Sequence, residues 1–133
     1  MKKCRFLAFL TCCVLVTGCA APLVFFGAGT AAGVAGFKYY DGALIVTYKA
    51  PYIDTWDATN KAFRDLGLTV ESAKHDLTEG EVAGKKADGE RVAVALKYIS
   101  GDKTEAKIRV GTLGDKKASG PIAEQIRRNL RGK

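Results

Sequence analysis

Most of this chain has no cysteine and almost no histidine. The four cysteines all lie in the first nineteen residues, at Cys4, Cys12, Cys13 and Cys19. Residues 20–133 therefore have no thiol for a disulfide, a thiolate zinc site or a cysteine nucleophile. His75 is the only histidine, and one histidine makes a zinc site an unfavourable interpretation.

The local patterns of common catalytic sites are missing as well. The glycines between Gly27 and Gly36 follow no strand and do not have the spacing of a dinucleotide loop. No serine stands in a nucleophile elbow, and no carboxylates pair at a recognisable spacing. We therefore expect a protein that is not an enzyme and that has no cofactor or metal. The alternative is a small periplasmic hydrolase that uses His75 and nearby carboxylates, because histidine side chains titrate near neutral pH.

The first eighteen residues do have a recognisable pattern, that of a secretory signal. Lys2, Lys3 and Arg5 form a basic start, and an uncharged run of eleven residues follows from Phe6 to Val16. Eleven residues are too few to span a bilayer, which takes about 20. This layout predicts a cleaved signal peptide at residues 1–18.

The residues that end this run, Val16-Thr17-Gly18-Cys19, resemble the lipobox of bacterial lipoproteins. In that class the chain is cut before the cysteine, whose thiol receives a diacylglycerol and whose new amine is acylated. The resemblance implies that Cys19 is the lipidation site. With Ala20 rather than aspartate after it, the resemblance also implies an outer-membrane protein that faces the periplasm. An uncut membrane anchor is the alternative, because no charge interrupts Phe6 to Phe37.

Residues 19–40 are predicted to form an apolar, glycine- and alanine-rich segment close to the membrane. Gly29 and Gly33 form a GxxxG pair, which allows two membrane helices to approach closely. Glycine, however, weakens a helix by about 1 kcal/mol relative to alanine. A packing helix and a flexible linker both stay open, and either would lie at the headgroup boundary.

Residues 41–133 are predicted to form one small domain. Alternation of side chains indicates five strands, at 44–49, 68–75, 79–86, 92–98 and 105–110, of which the third is the weakest.

Two helices complete the predicted domain. The first opens at Pro51, and its apolar face is predicted to hold Ile53, Trp56, Phe63 and Leu66. The second is indicated by apolar residues at steps of four, namely Ile122, Ile126 and Leu130. Pro121 suggests that this second helix begins near Ser119 or kinks there.

The element order β-α-β-β-β-β-α predicts an α+β fold. Three hairpins make the last four strands alternate in direction, and a helical crossover makes the first strand parallel to the second. The first strand then fits beside the fifth, which gives an antiparallel sheet in the order 1-5-4-3-2. Each strand has one apolar face, so we expect both helices on that face, in a two-layer sandwich with an open polar side.

Three longer stretches, FKYYDGALIVTYKAPYIDTWDAT, VESAKHDLTEGEV and KIRVGTLGDKKAS, resemble a family of short bacterial lipoproteins, the domain of unknown function 3568 family. The resemblance covers nearly all of the chain after the signal. It implies a lipid-anchored cell-envelope protein with a small α+β domain, and it implies no chemistry.

The charges and aromatic residues bear on possible partners. Removing Lys2, Lys3 and Arg5 lowers the net charge from +7 to +4. The only basic cluster, at 127–133, lacks interleaved aromatic residues, so nucleic acid is an unfavoured partner and the cations suit a helix C-terminus. We expect contact with the membrane through the lipidated N-terminus and with an envelope protein through a sheet face or edge. His75 is expected to have a role in a turn.

Overall fold

The computed structural model describes residues 34–133, all of which belong to one compact unit. Six strands and two helices follow one another in the order β-β-α-β-β-β-β-α. The strands are β1 (Val34–Tyr40), β2 (Ala43–Tyr48), β3 (Thr69–His75), β4 (Glu79–Lys85), β5 (Arg91–Ser100) and β6 (Lys103–Val110). The helices are α1 (Tyr52–Asp65) and α2 (Lys116–Arg131).

The six strands form one antiparallel sheet in the order β1-β2-β6-β5-β4-β3. The predicted five-strand order 1-5-4-3-2 is wrong, because β1 adds a sixth strand at one edge. The predicted pairing of the first alternating run with the last is confirmed, since Val46 of β2 lies opposite Ala106 of β6. The α+β class is confirmed too.

Strand β1 lies in the segment that the sequence assigned to the membrane-proximal run. Six of its seven residues are exposed, so its sequence has no alternation of buried and exposed side chains. The turn that joins it to β2 explains why a strand forms. Asp41 and Gly42 both have positive φ, at 49° and 71°, which is what a tight two-residue hairpin turn requires.

The core lies on one face of the sheet, beneath the helices. The register places Leu44, Ile108, Val94 and Val82 in one row across four strands. These residues are almost fully buried, as are their period-two neighbours along the strands. Helix α2 contacts β2 and β6, and α1 contacts β5, so both helices cover this face as predicted.

The buried face of α1 differs from the predicted one. Phe63 is fully buried as predicted, but Ile53 and Leu66 are exposed. Thr55 and Thr59 are buried in their place, and their hydroxyls donate to the backbone oxygens of Pro51 and Thr55 at 3.0 and 2.8 Å. Both buried hydroxyls are hydrogen-bonded within the helix, so a purely apolar pattern misses this face.

Helix α2 begins earlier than predicted. It starts at Lys116 rather than near Ser119, because the Asp115 side chain caps it and accepts from the amides of Lys117 and Ala118 at 2.8 and 3.1 Å. Pro121 lies inside the helix. The prediction for Ile122 and Ile126 is confirmed, since both are buried.

The structure is not the clear two-layer sandwich that the sequence predicted. The side chains of the edge strands β1 and β3 are mostly exposed, whereas the helices cover the strands between them. The sheet therefore extends beyond its helical layer at both edges.

Candidate functional site

His75, the only histidine, lies at the end of the edge strand β3 and is exposed. Its ring packs against Trp56 of α1, with 4.5 Å between the ring centroids and 42° between the planes. Its Nδ1 lies 3.2 Å from the backbone oxygen of Asp76. The imidazole is therefore held by an aromatic neighbour and by its own turn.

Gly80 makes this contact possible. It lies directly opposite His75 in the β3–β4 pair. A Cβ at Gly80 would come within 2.6 Å of the Tyr52 hydroxyl, 2.8 Å of the His75 Cβ and 2.9 Å of the Trp56 ring. Only glycine allows these three side chains to meet above β4, and we call Tyr52, Trp56, His75 and Gly80 the aromatic cluster.

Trp56 is half-buried at the margin of the core rather than within it. The expectation that it packs with the core is confirmed for part of the side chain. The remainder lies beside the exposed imidazole of His75. The indole thus connects the core to the surface at the β3 edge.

The carboxylate next to His75 is already engaged in the turn. Asp76 Oδ1 accepts hydrogen bonds from the amides of Thr78 and Glu79, both at 2.8 Å, and from the Thr78 hydroxyl at 3.2 Å. These bonds, the Thr78 amide first, hold the pKa of Asp76 below its usual range, and the nearby His75 adds to the effect. Asp76 is therefore an ionised residue that stabilises the turn.

Tyr52 has the one orphaned side-chain polar atom among the buried groups of residues 34–133. Its hydroxyl has no hydrogen-bond partner within that part of the chain. Burial raises its pKa, and Asp76 and Glu79 add to the rise, so the phenol stays protonated at neutral pH.

The aromatic cluster has few of the groups that catalysis requires. Two of the serines have their hydroxyls engaged elsewhere, Ser100 with the Asp102 carboxylate and Ser119 with the Asp115 backbone oxygen. Within residues 34–133, no three histidine, aspartate or glutamate side chains lie close enough together to hold a metal ion.

A second candidate site is a depression of about 540 Å³ on the face of the sheet opposite the helices. Ala95 occupies its floor, between Glu81 of β4 and Lys107 of β6. Its lining includes Asp76, which is already bonded within the β3–β4 turn, and six further charged side chains, namely Lys74, Glu79, Glu81, Lys97, Glu105 and Lys107. We call these six side chains the charged ring.

The charges of the ring alternate across the strands. Lys97 lies between Glu79 and Glu105 in one row, and Lys74 lies beside Glu81 in the next. Among the described residues, no two members of the ring lie within salt-bridge distance of each other. Three cations and three anions are thus available to a ligand or partner. Sequence alternation could have found them, because each lies at a polar position of a predicted strand.

A third depression, of about 490 Å³, lies where the end of α1, the start of α2 and the β4–β5 turn meet. Its lining is mainly apolar and includes Leu66, Leu68 and Ile122. Lys86 stands at its rim and is paired with Glu90 at 2.6 Å. This site has no free titratable group for chemistry.

The basic C-terminal cluster is largely paired with acids. Arg127 and Arg128 both contact the carboxylate of Glu124, and Lys133 reaches Asp54 and Asp57 of α1 at 2.9 and 3.4 Å. Arg128 and Arg131 lie in the last turn of α2, where the sequence predicted cations that suit the helix dipole.

The predicted lipidation site Cys19, its lipobox and the GxxxG pair lie outside the described residues. Within residues 34–133, neither helix has the length and apolar character needed to cross a membrane.

Comparison with known proteins gives a family but no activity. The profile of the family described as "Protein of unknown function (DUF3568)" matches residues 3–129, nearly the whole chain. No curated protein matches the sequence. The chain therefore belongs to the DUF3568 family.

Proposed function

We propose that the chain is a lipid-anchored lipoprotein of the bacterial cell envelope that acts as a non-enzymatic binding or assembly module. The observation that carries the proposal is the sequence Val16-Thr17-Gly18-Cys19 directly after an eleven-residue apolar run with a basic start. Cleavage before Cys19 and acylation of that residue would hold the domain at the periplasmic face of the outer membrane. Several acyl chains bind a membrane far more firmly than one.

The charged ring supports binding as the role of the folded domain. Its floor is a small residue, Ala95, and its six charged groups balance each other in sign. A surface of this kind suits a polar partner that carries charges of both signs. A partner with charges of one sign only would be repelled by the ring members of that sign.

Substitution of Cys19 tests the anchor. In Cys19→Ala the acyl groups have no attachment point, so the protein should leave the membrane fraction or retain its first eighteen residues. Cys13→Ala is the matched control, because it removes a thiol from the same apolar run and leaves the lipobox intact. Equal membrane fractionation and equal mass of processed protein in both variants would refute the anchor.

Photo-crosslinking tests the binding surface. A photoreactive amino acid at Ala95 should capture a partner in intact cells, whereas the same residue at Gly101, in the β5–β6 turn, should capture much less. Capture that is equal at the two positions would assign the partner to another surface.

The position of His75 supports a role in the turn over the alternative of a hydrolase. Its ring is packed on Trp56, and its neighbour Asp76 is bonded to two amides of the turn. We expect a His75→Asn variant to complement a deletion strain as well as the unaltered protein does. A folded, correctly localised variant that behaves like the deletion would revive the hydrolase.

A further inference from the structure

One end of the sheet carries large apolar side chains on three separate elements. Ile53 lies in the first turn of α1, Leu77 in the β3–β4 turn, and Tyr98 and Ile99 near the end of β5. All four are exposed, Leu77 to 90%. We call these residues the apolar tip.

Backbone hydrogen bonds join two of the three elements that carry the tip. The Tyr98 amide donates to the backbone oxygen of Thr78 at 2.7 Å, which joins the end of β5 to the β3–β4 turn. The same turn is closed by the amide of Asp76, which donates to the backbone oxygen of Glu79 at 2.8 Å. Single exposed apolar residues are common on proteins, but a group at one end indicates a surface that is covered in use.

The chain also enters the domain at this end. Val34, the first residue of β1, lies opposite Tyr48, the last residue of β2, and Tyr48 is followed by α1. Cys19 precedes Val34 by fifteen residues, which span at most about 50 Å when fully extended. The tip and the route to the anchor therefore share one end of the sheet.

We propose that the apolar tip inserts into the headgroup region of the membrane that holds the lipidated Cys19, so that the domain stands on that end. This inference rests on the lipid anchor of the proposed function. The aromatic residues near the tip, Tyr98 and the half-buried Trp56, are of the kinds enriched at membrane interfaces.

The charges around the tip indicate which lipids it contacts. Lys49 and Lys103 lie at this end together with four acids, Asp54, Asp76, Glu79 and Asp102, and Lys133 is paired with Asp54, so the cations have no excess over the anions. Attraction to anionic lipid is consequently not the source of binding. The source of binding is burial of the apolar side chains, so the contact should form on neutral phosphatidylcholine and persist in salt.

A single introduced thiol tests the orientation, because Cys19 carries the lipid and residues 20–133 contain no other cysteine. An environment-sensitive fluorophore is placed at Leu77→Cys in the full lipidated protein. The matched control is Leu113→Cys, since Leu113 is 91% exposed in the β6–α2 loop at the opposite end of the sheet. Ile99→Cys and Tyr40→Cys form a second pair that leaves both leucines in place.

The labelled proteins are reconstituted into phosphatidylcholine vesicles that carry nitroxide-quenched lipids. We expect quenching at positions 77 and 99 to be at least about twofold stronger than at positions 113 and 40, in low and high salt alike. Equal quenching at the two ends, or stronger quenching at position 113, would overturn the inference while leaving the anchor intact. Self-quenching that depends on protein density, without quenching by lipid, would overturn it in favour of a second copy of the chain.

Flotation of the vesicles separates this failure from failure of the proposed function. Protein that floats with the vesicles and has the mass of the acylated chain has its anchor, so the fluorescence then reports orientation alone. Protein that does not float would refute the anchor and, with it, this inference.

Discussion

The central strands β2, β6, β5 and β4 and the edge strands β1 and β3 belong to the same sheet, but only the central strands are covered. Along β2 and β6 buried residues alternate with more exposed ones, whereas six of the seven residues of both β1 and β3 are exposed. Backbone pairing is continuous across all six strands. The difference teaches that hydrophobic alternation reports which strands are covered and does not report every strand that forms.

The strongest test of this comparison uses two phenylalanines. Phe63 is fully buried in α1, and Phe37 on β1 is 61% exposed. We expect Phe63→Ala to lower the free energy of unfolding by about 3–5 kcal/mol, because it leaves a cavity in the core. Phe37→Ala should change it by less than about 0.5 kcal/mol. Urea denaturation measures both, and a Phe37→Ala loss as large as that of Phe63→Ala would contradict the division into core and edge.

Gly80 tests the junction between a covered strand and an edge strand. The Cβ of Gly80→Ala would meet Tyr52, His75 and Trp56 at less than 3.0 Å, and we expect a loss of about 1–3 kcal/mol from this overpacking. Gly101→Ala is the control, since nothing lies within 4 Å of its Cβ position. Equal melting temperatures for the two variants would show that the aromatic cluster accommodates the added methyl group without loss of stability.

Tyr48 tests a hydrogen bond between the covered sheet and its helical layer. Its buried hydroxyl donates to the backbone oxygen of Ala123 at 2.8 Å, and burial raises its pKa. Tyr48→Phe removes the donor and should cost about 1 kcal/mol. Tyr40→Phe on the exposed face of β1 should be neutral by the same denaturation measurement. A neutral Tyr48→Phe would indicate that the bond adds nothing to stability.

Asp76 gives the smallest expected effect and a dependence on pH. Its pKa is lowered in the folded state by the Thr78 and Glu79 amides, so its contribution is complete above the unfolded pKa of about 3.9. The contribution is lost as the pH falls through the folded pKa. We expect Asp76→Ala to lower the Tm at pH 7, and the difference from the unaltered protein to shrink below about pH 4. A difference that grows on acidification would have the wrong sign.

The sequence predicted the covered part of the fold well. Val46 was predicted to lie in a strand beside the one that holds Ala106, and it does. Ile122 and Ile126 were predicted to face the core, and both are buried. Alternation and helical spacing carry this information because burial imposes them.

What the sequence did not predict lies where burial imposes no pattern. Strand β1 is held by its pairing with β2 and by the Asp41-Gly42 turn, and its side chains are too exposed to alternate. The buried threonines of α1 escaped notice because hydrogen bonds within the helix satisfy their hydroxyls. The contact of His75 with Trp56 depends on Gly80, which is far from Trp56 in the sequence.

The most direct test of the proposed function is intact-mass spectrometry of the protein extracted from its native membrane. The account predicts a chain that begins at Cys19 and carries the added mass of acyl groups on that residue. A chain that retains residues 1–18, or one that begins at Cys19 without acyl groups, would contradict it.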